Sequence, residues 1–342
     1  MSRHFIFTNR EITKNPGIES NYLKVNDEEY LRKDGKELAL ESIRVGTIEI
    51  KGNKPKITIL KEEFDLSEQH SFLGQSKRNH FPSNTCFREL YESMKSKKPY
   101  QGEVLVYIHG YNCDVDCCLE LVMKLHKKYV DDDDCPIEHL VLFSWPAMDK
   151  VFEYRDDARD AKQSGYAFAR SLRKLGEFLN KELRNEDNCD QRIHLMAHSM
   201  GGRVLESMMS ELSDEEEFQL TDLFSEVLLV ATDVDSDALE RPRPMYDLID
   251  ICQRIHVLYH KKDVALGISE NTKNAFKRLG KHGPKSSTLL ADNVYAYDVT
   301  HTRDDRDQTL IRQLGNHWYH YSSSDAVELI IDILNDYQED LD

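Results

Sequence analysis

From residue 100 onward, short apolar runs of strand length alternate with longer stretches whose apolar side chains recur every three or four residues. The runs are Val104-Leu105-Val106-Tyr107-Ile108, Leu140-Val141-Leu142-Phe143, Ile193-His194-Leu195-Met196, Val227-Leu228-Leu229-Val230, Ile255-His256-Val257-Leu258-Tyr259 and Val294-Tyr295-Ala296-Tyr297. Near-continuous apolarity marks strands buried on both faces of a parallel sheet. Between the runs, Phe168, Leu172, Leu175, Leu179 and Leu183 form one face of a helix, and Val327, Ile330, Ile331 and Leu334 repeat the pattern near the C-terminus. Strand followed by helix, several times over, predicts an α/β fold: a doubly wound, mostly parallel sheet with helices on both faces. In the less regular first hundred residues, Phe5-Ile6-Phe7-Thr8 and Val45 to Ile50 read as strands, antiparallel ones added to an edge of that sheet. Residues 1–100 are therefore taken as an N-terminal strand extension and 101–342 as the core, with no clear assignment for Glu62 to Ser83.

Composition removes several classes of function. The 342 residues carry 62 Asp and Glu against 45 Lys and Arg, a formal charge of −17, whereas a passive binder of nucleic-acid backbone needs a cationic surface. No run approaches the ~20 apolar residues that cross a bilayer, and the N-terminus has no signal-peptide pattern. A cytoplasmic protein without an integral membrane segment is expected. Seven cysteines, Cys86, Cys113, Cys117, Cys118, Cys135, Cys189 and Cys252, are odd in number and scattered. They argue against a disulfide framework, and the cluster around Cys117 lacks the paired spacing of a zinc site. Acidic runs at Asp131 to Asp134, Asp214 to Glu217 and Glu339 to Asp342 read as solvated loops and an end.

In Ile193-His194-Leu195-Met196-Ala197-His198-Ser199-Met200-Gly201-Gly202, an apolar strand runs into a serine flanked two positions away on each side by a small residue, and a helical pattern follows. This is the arrangement of a nucleophile elbow, with Ala197 at the first glycine position. The turn is too tight for bulk at either flank, and it lifts the hydroxyl to the positive end of the next helix. Read alone, the same segment is an ordinary strand and helix joined by a serine N-cap. An earlier strand ends in His109-Gly110-Tyr111-Asn112, a loop suited to offering the Tyr111 N–H beside that of Met200 as an oxyanion hole. A serine nucleophile needs a base, and the base an orienting carboxylate, each beyond a later strand. Asp263 is the favoured acid, with Asp233 and Asp235 as rivals. His317 is the favoured base because Gly315-Asn316 supplies a turn before it; His320 is the alternative and His301 the third choice.

Together these residues resemble the α/β-hydrolase superfamily and, within it, the bacterial family catalogued as domain of unknown function 900. The similarity runs through His109-Gly110-Tyr111-Asn112, Phe143-Ser144-Trp145-Pro146, and Tyr154, Asp157, Ala161 and Ser164. It continues through Ala197 to Gly201, Ala231-Thr232-Asp233-Val234-Asp235 and Asp263-Val264-Ala265-Leu266. The closing His-x-Tyr matches His317-Trp318-Tyr319, and Thr8-Asn9-Arg10 is similar to the N-terminal strand end. The doubled histidine near the C-terminus and the charged N-terminal stretch depart from the pattern. The resemblance implies an α/β-hydrolase core and a serine hydrolase that cleaves a small carboxylic ester through an acyl-enzyme on Ser199, with no metal and no organic cofactor. Trp145 to Tyr154 and Pro242-Arg243-Pro244 are expected to overhang its pocket. The competing expectation is a catalytically silent binding or scaffold protein whose partner surface is the first hundred residues, since fold alone does not establish activity.

Overall fold

Every apolar run named above is a strand, and side chains of alternate parity feed two separate cores. The computed structural model describes residues 2–15, 21–34, 43–61, 82–98, 101–147, 154–183, 191–213, 223–272, 276–302 and 316–336. The strands are β1 (Ser2–Thr8), β2 (Ile12–Thr13), β3 (Tyr22–Lys24), β4 (Tyr30–Arg32), β5 (Arg44–Lys51), β6 (Lys54–Ile59), β7 (Glu103–Ile108), β8 (Ile137–Ser144), β9 (Ile193–His198), β10 (Phe224–Val230), β11 (Cys252–Tyr259) and β12 (Val294–Asp298). The longer helices are α1 (Pro82–Lys95), α2 (Val115–Leu125), α3 (Tyr154–Leu183), α4 (Gly201–Ser213), α5 (Val264–Thr272) and, at the C-terminus, α6 (Ser324–Asn335). None of the described helices is long and apolar enough to cross a membrane.

Nine strands form one sheet in the order β12-β11-β10-β9-β7-β8-β1-β5-β6. On one face Val104, Val106, Leu195, Val227, Leu229 and Val257 pack against Phe87, Phe168, Leu172, Val204 and Met208 of α1, α3 and α4. On the other, Leu105, Tyr107, Leu142, Met196, Leu228 and Leu258 meet Val122, Leu125, Val327, Ile330 and Leu334 of α2 and α6. Period-two alternation with both faces apolar is what turns a strand into a continuous hydrophobic run.

The antiparallel expectation for Phe5 to Thr8 holds on one side only, where β1 pairs with β5. β1 runs parallel to β8, with Phe5 beside Val141 and Thr8 beside Ser144, and antiparallel pairing begins at β5 and β6. Because β1 is followed by an excursion, the small β2-β4-β3 sheet, its direction is not set by a hairpin. Helix α1 has its own apolar stripe of Cys86, Phe87, Leu90, Tyr91 and Met94, all buried, with Phe87 stacked on Phe7 at 5.5 Å. Along α3, Phe168 and Leu172 are buried and Leu175 half-buried; the side chains of Leu179 and Leu183 lie outside the described set. Residues 62–81, the acidic runs at 214–217 and 339–342, and Cys189 lie outside the described residues.

At the amino edge of the parallel strands lies a buried charge network. Glu103 accepts from His194 Nε2 at 2.8 Å and Arg192 Nε at 2.9 Å. Glu226 accepts from Arg254 Nη2 at 2.6 Å and His256 Nε2 at 2.7 Å, and Arg254 Nη1 reaches Asp336 at 2.6 Å beyond the end of α6. Removing one member strands the others in a low-dielectric interior. Glu226→Ala is expected to lower unfolding free energy by about 3–5 kcal/mol, read as a shift in urea midpoint; a change below about 1 kcal/mol would mean that water reaches this network freely.

Candidate active site

Strand β9 delivers Ser199 to a bend held at both backbone groups. Ser199 N–H donates to Val230 O at 3.1 Å, and its carbonyl accepts from Gly202 at 3.0 Å and Asp233 at 2.9 Å. The residue has φ +54°, a left-handed conformation that side-chain-bearing residues rarely adopt and that recurs at functional turns. Helix α4 begins two residues later, packed so closely on the end of β7 that a Cβ on Gly201 would lie 2.5 Å from Ile108 O. The His109–Asn112 loop crosses beside the serine: a Cβ on Gly110 would lie 2.7 Å from Ser199 Cβ. Tyr111 is half-buried against the core, and Met200 is buried at the start of the α4 turn.

Asp263 stands just past the end of β11, 1% exposed. Its Oδ1 accepts from Leu266 N–H at 2.9 Å, capping α5, while Oδ2 lies 2.7 Å from His317 Nδ1. His317 lies with its ring centroid 4.8 Å from that of His198, the neighbour of Ser199. His320 also lies against His198, with ring centroids 4.5 Å apart, but it is fully buried, its Nε2 is 3.0 Å from the Tyr107 hydroxyl, and Asp263 Oδ2 meets His317 instead. His301 is exposed. Asp233 accepts from Ser269 Oγ at 3.0 Å and faces Arg203 and Arg278, and Asp235 pairs with Arg278 at 2.6 Å and Arg243 at 3.2 Å. Among the described residues Asp263 meets a histidine of the C-terminal segment, whereas Asp233 and Asp235 face arginines.

The family model described as alpha/beta hydrolase of unknown function (DUF900) matches residues 87–331. The chain belongs to that family. No curated protein matches, and no solved structure does.

Within this alpha/beta hydrolase, His198, Tyr319 and Trp145 take positioning roles that the sequence did not reveal, Trp145 as a buried prop rather than an overhang. His198 Nε2–H donates to His317 O at 3.0 Å, so the residue between Ala197 and Ser199 holds the segment that carries the imidazole. Burial, then the neighbouring His320 and His317, keeps its pKa far below the ordinary value, and the ring stays neutral. Tyr319 accepts from Ala231 N–H at 2.8 Å and donates to Leu258 O at 2.6 Å. It thereby pins the His-x-Tyr turn to the ends of β10 and β11. Trp145 lies beneath the His109 loop, fully buried, with its ring parallel to that of His109 at 5.1 Å. Its indole N–H donates to His109 O at 2.8 Å, and its backbone N–H donates to His109 Nε2 at 3.1 Å. Trp145 thus supports this loop from within. Residues 148–153 and the side chain of Tyr154 lie outside the described set, as does Gly315. The segment after Pro242-Arg243 forms a 3₁₀ turn, Pro244–Asp250, whose Met245 and Leu248 are buried in the core beside α4 and β11.

Two buried histidines are expected to make the fold acid-sensitive. Burial and the nearby Arg10 push His109 down to about 3, and burial with His126 does the same to His4. The unfolded chain protonates these rings near the ordinary value of 6.5, so stability is full above that pH and is lost as pH falls from 6.5 toward 3. Each ring is expected to cost about 2 kcal/mol at pH 5 relative to pH 8. Urea midpoints at the two pH values check this: His109→Gln and His4→Gln should each flatten the dependence, and equal slopes in wild type and variants would refute the assignment.

Proposed function

We propose that the chain is a serine hydrolase that cleaves a carboxylic ester, or a related acyl bond, through an acyl-enzyme on Ser199. The observation that carries this reading is the Asp263–His317 contact of 2.7 Å beside a serine held at positive φ on a strand-to-helix bend. Ser199 Oγ attacks the carbonyl carbon as His317 Nε2 takes its proton, and Asp263 fixes the tautomer that leaves Nε2 free to do so. The N–H groups of Tyr111 and Met200 receive the charge that develops on the carbonyl oxygen. Collapse of the tetrahedral intermediate expels the alcohol, protonated by His317, and the same imidazole then activates water to release the acid. Among the described residues no hydrogen bond joins Ser199 Oγ to His317; in resting enzymes such contacts often close only with substrate bound.

The residues required belong to the chain itself, and the substrate class is a small acyl ester in the cytoplasm. The test is labelling by a fluorophosphonate with the adduct mapped to Ser199, together with turnover of short p-nitrophenyl esters. A protein inert in both assays overturns the reading in favour of a silent scaffold. Gly110→Ala sets a Cβ against Ser199 and is expected to slow labelling about 10²-fold, since a displacement near 1 Å costs that much in a positioned site. An unchanged rate would remove the loop from the site.

A further inference from the structure

Immediately after the His109–Asn112 loop stand three sulfur atoms that the proposed hydrolysis does not use. Cys113 and Cys117 are joined by a disulfide, a local clasp four residues long that the cysteine arithmetic did not foresee. Cys118 is free and fully buried, with its sulfur 3.7 Å from Cys113 Sγ and 3.7 Å from Ser144 Oγ. Cys117 is half-buried and closest to solvent, while Cys113 is buried. His109, Cys113 and Cys118 bring ligand atoms within 4.8 Å of one another, yet both ring nitrogens of His109 are engaged by Gly110 O and Trp145 N–H. Sulfur chemistry rather than metal binding fits this group.

A second observation comes from Arg10. Its guanidinium is 1% exposed and donates to Ser144 Oγ at 2.9 Å, Lys33 O at 2.9 Å and Cys113 O at 2.7 Å, all neutral acceptors. Among the described residues it makes no ion pair, and the Cys118 thiol is within its hydrogen-bonding reach. Burial pushes the Cys118 thiol above its ordinary value and Arg10 opposes that shift, so the guanidinium lowers the cost of forming the thiolate, the reactive form of cysteine.

We propose that Cys113, Cys117 and Cys118 form an intramolecular thiol–disulfide exchange site, with Arg10 holding Cys118 against Cys113. In a transient local opening of the buried site the Cys118 thiol passes its proton to an entering water, and its thiolate attacks Cys113 Sγ. The Cys113–Cys117 bond breaks as a Cys113–Cys118 bond forms, and Cys117 leaves with the electron pair and takes a proton from water. No electrons are gained or lost. The exchange turns a buried thiol into a reachable one and moves the clasp beside Tyr111 by one residue. Its effect on Ser199 rests on the serine-hydrolase reading; the exchange itself does not.

The experiment is time-resolved alkylation of the full, air-purified chain with N-ethylmaleimide at neutral pH. Denaturation, reduction, iodoacetamide treatment and fragment mapping follow. The expected result is maleimide accumulating on Cys117 while Cys113 and Cys118 take iodoacetamide, with no maleimide at Cys117 in Cys118→Ser. Absence of maleimide from Cys117 in wild type, while half-buried Cys135 is labelled, overturns the exchange, as does finding all three thiols free. Fluorophosphonate labelling of Ser199 reads the coupling: Cys118→Ser, fixed with the 113–117 clasp, and Cys117→Ser, fixed with the 113–118 clasp, are expected to differ at least threefold in rate. Equal rates overturn the coupling. No labelling of any form counts against the hydrolase reading and leaves the exchange decided on the alkylation map.

Discussion

Replacing Ser199 by alanine is expected to abolish fluorophosphonate labelling and to lower ester turnover by about 10⁶-fold, the scale on which loss of a triad nucleophile acts. A residual rate persists wherever the oxyanion donors and substrate positioning still work. The same position supplies a second, independent readout. Ser199 sits at φ +54°, where glycine pays no steric penalty and other residues pay roughly 1–2 kcal/mol. Ser199→Gly is therefore expected to raise unfolding free energy by about 1 kcal/mol while eliminating activity, a pairing expected when strain is retained for function. Urea denaturation decides the point: a variant less stable than wild type would mean that the bend is not a store of strain, and turnover surviving in Ser199→Ala would place the nucleophile elsewhere.

Asp263→Asn is expected to lower turnover by about 10⁴-fold with little change in fold, because the amide keeps an oxygen for Leu266 N–H but presents the wrong partner to His317 and favours the opposite tautomer. The effect is in kcat rather than in KM, since the bond to His317 matters only as the imidazole acquires charge. His317→Ala should cost at least as much, and the double variant should be no slower than His317→Ala alone, because the two residues act as one unit. Additive losses would mean that Asp263 contributes through capping α5 instead. Asp233→Asn serves as the contrast: its carboxylate faces Ser269 and two arginines, so its effect should appear in stability and not in rate.

Local signals made much of the core legible. Leu105 and Val106, or Leu228 and Leu229, point to opposite faces, and each face has its own helices; the strand-length apolar runs follow from that two-sided burial. The bend at Ser199 was equally visible, because small residues at Ala197 and Gly201 are a local steric demand with a local signature. The direction of β1 was not, since pairing with β8 joins residues 136 apart, as Thr8 and Ser144 are through the Thr8 hydroxyl, and so short an apolar run does not say which strand it lies beside. Helix α1 follows a long polar segment and was passed over, although its stripe of Cys86, Phe87, Leu90 and Tyr91 has helical spacing.

By itself, then, the chain's order of residues determined which segments are strand or helix and which residue types are available for chemistry, because propensity, periodicity and turn sterics act over a few neighbours. Tertiary structure alone decided which histidine meets which acid. His317 and His320 are three residues apart and chemically identical, but one turns toward Asp263 and the other toward Tyr107. That choice is made by Tyr319, anchored to β10 and β11, and by His198 holding the His317 carbonyl, contacts between residues brought together only when the sheet closes. The same holds for Arg10, an ordinary exposed residue type in sequence that the fold buries beside a thiol.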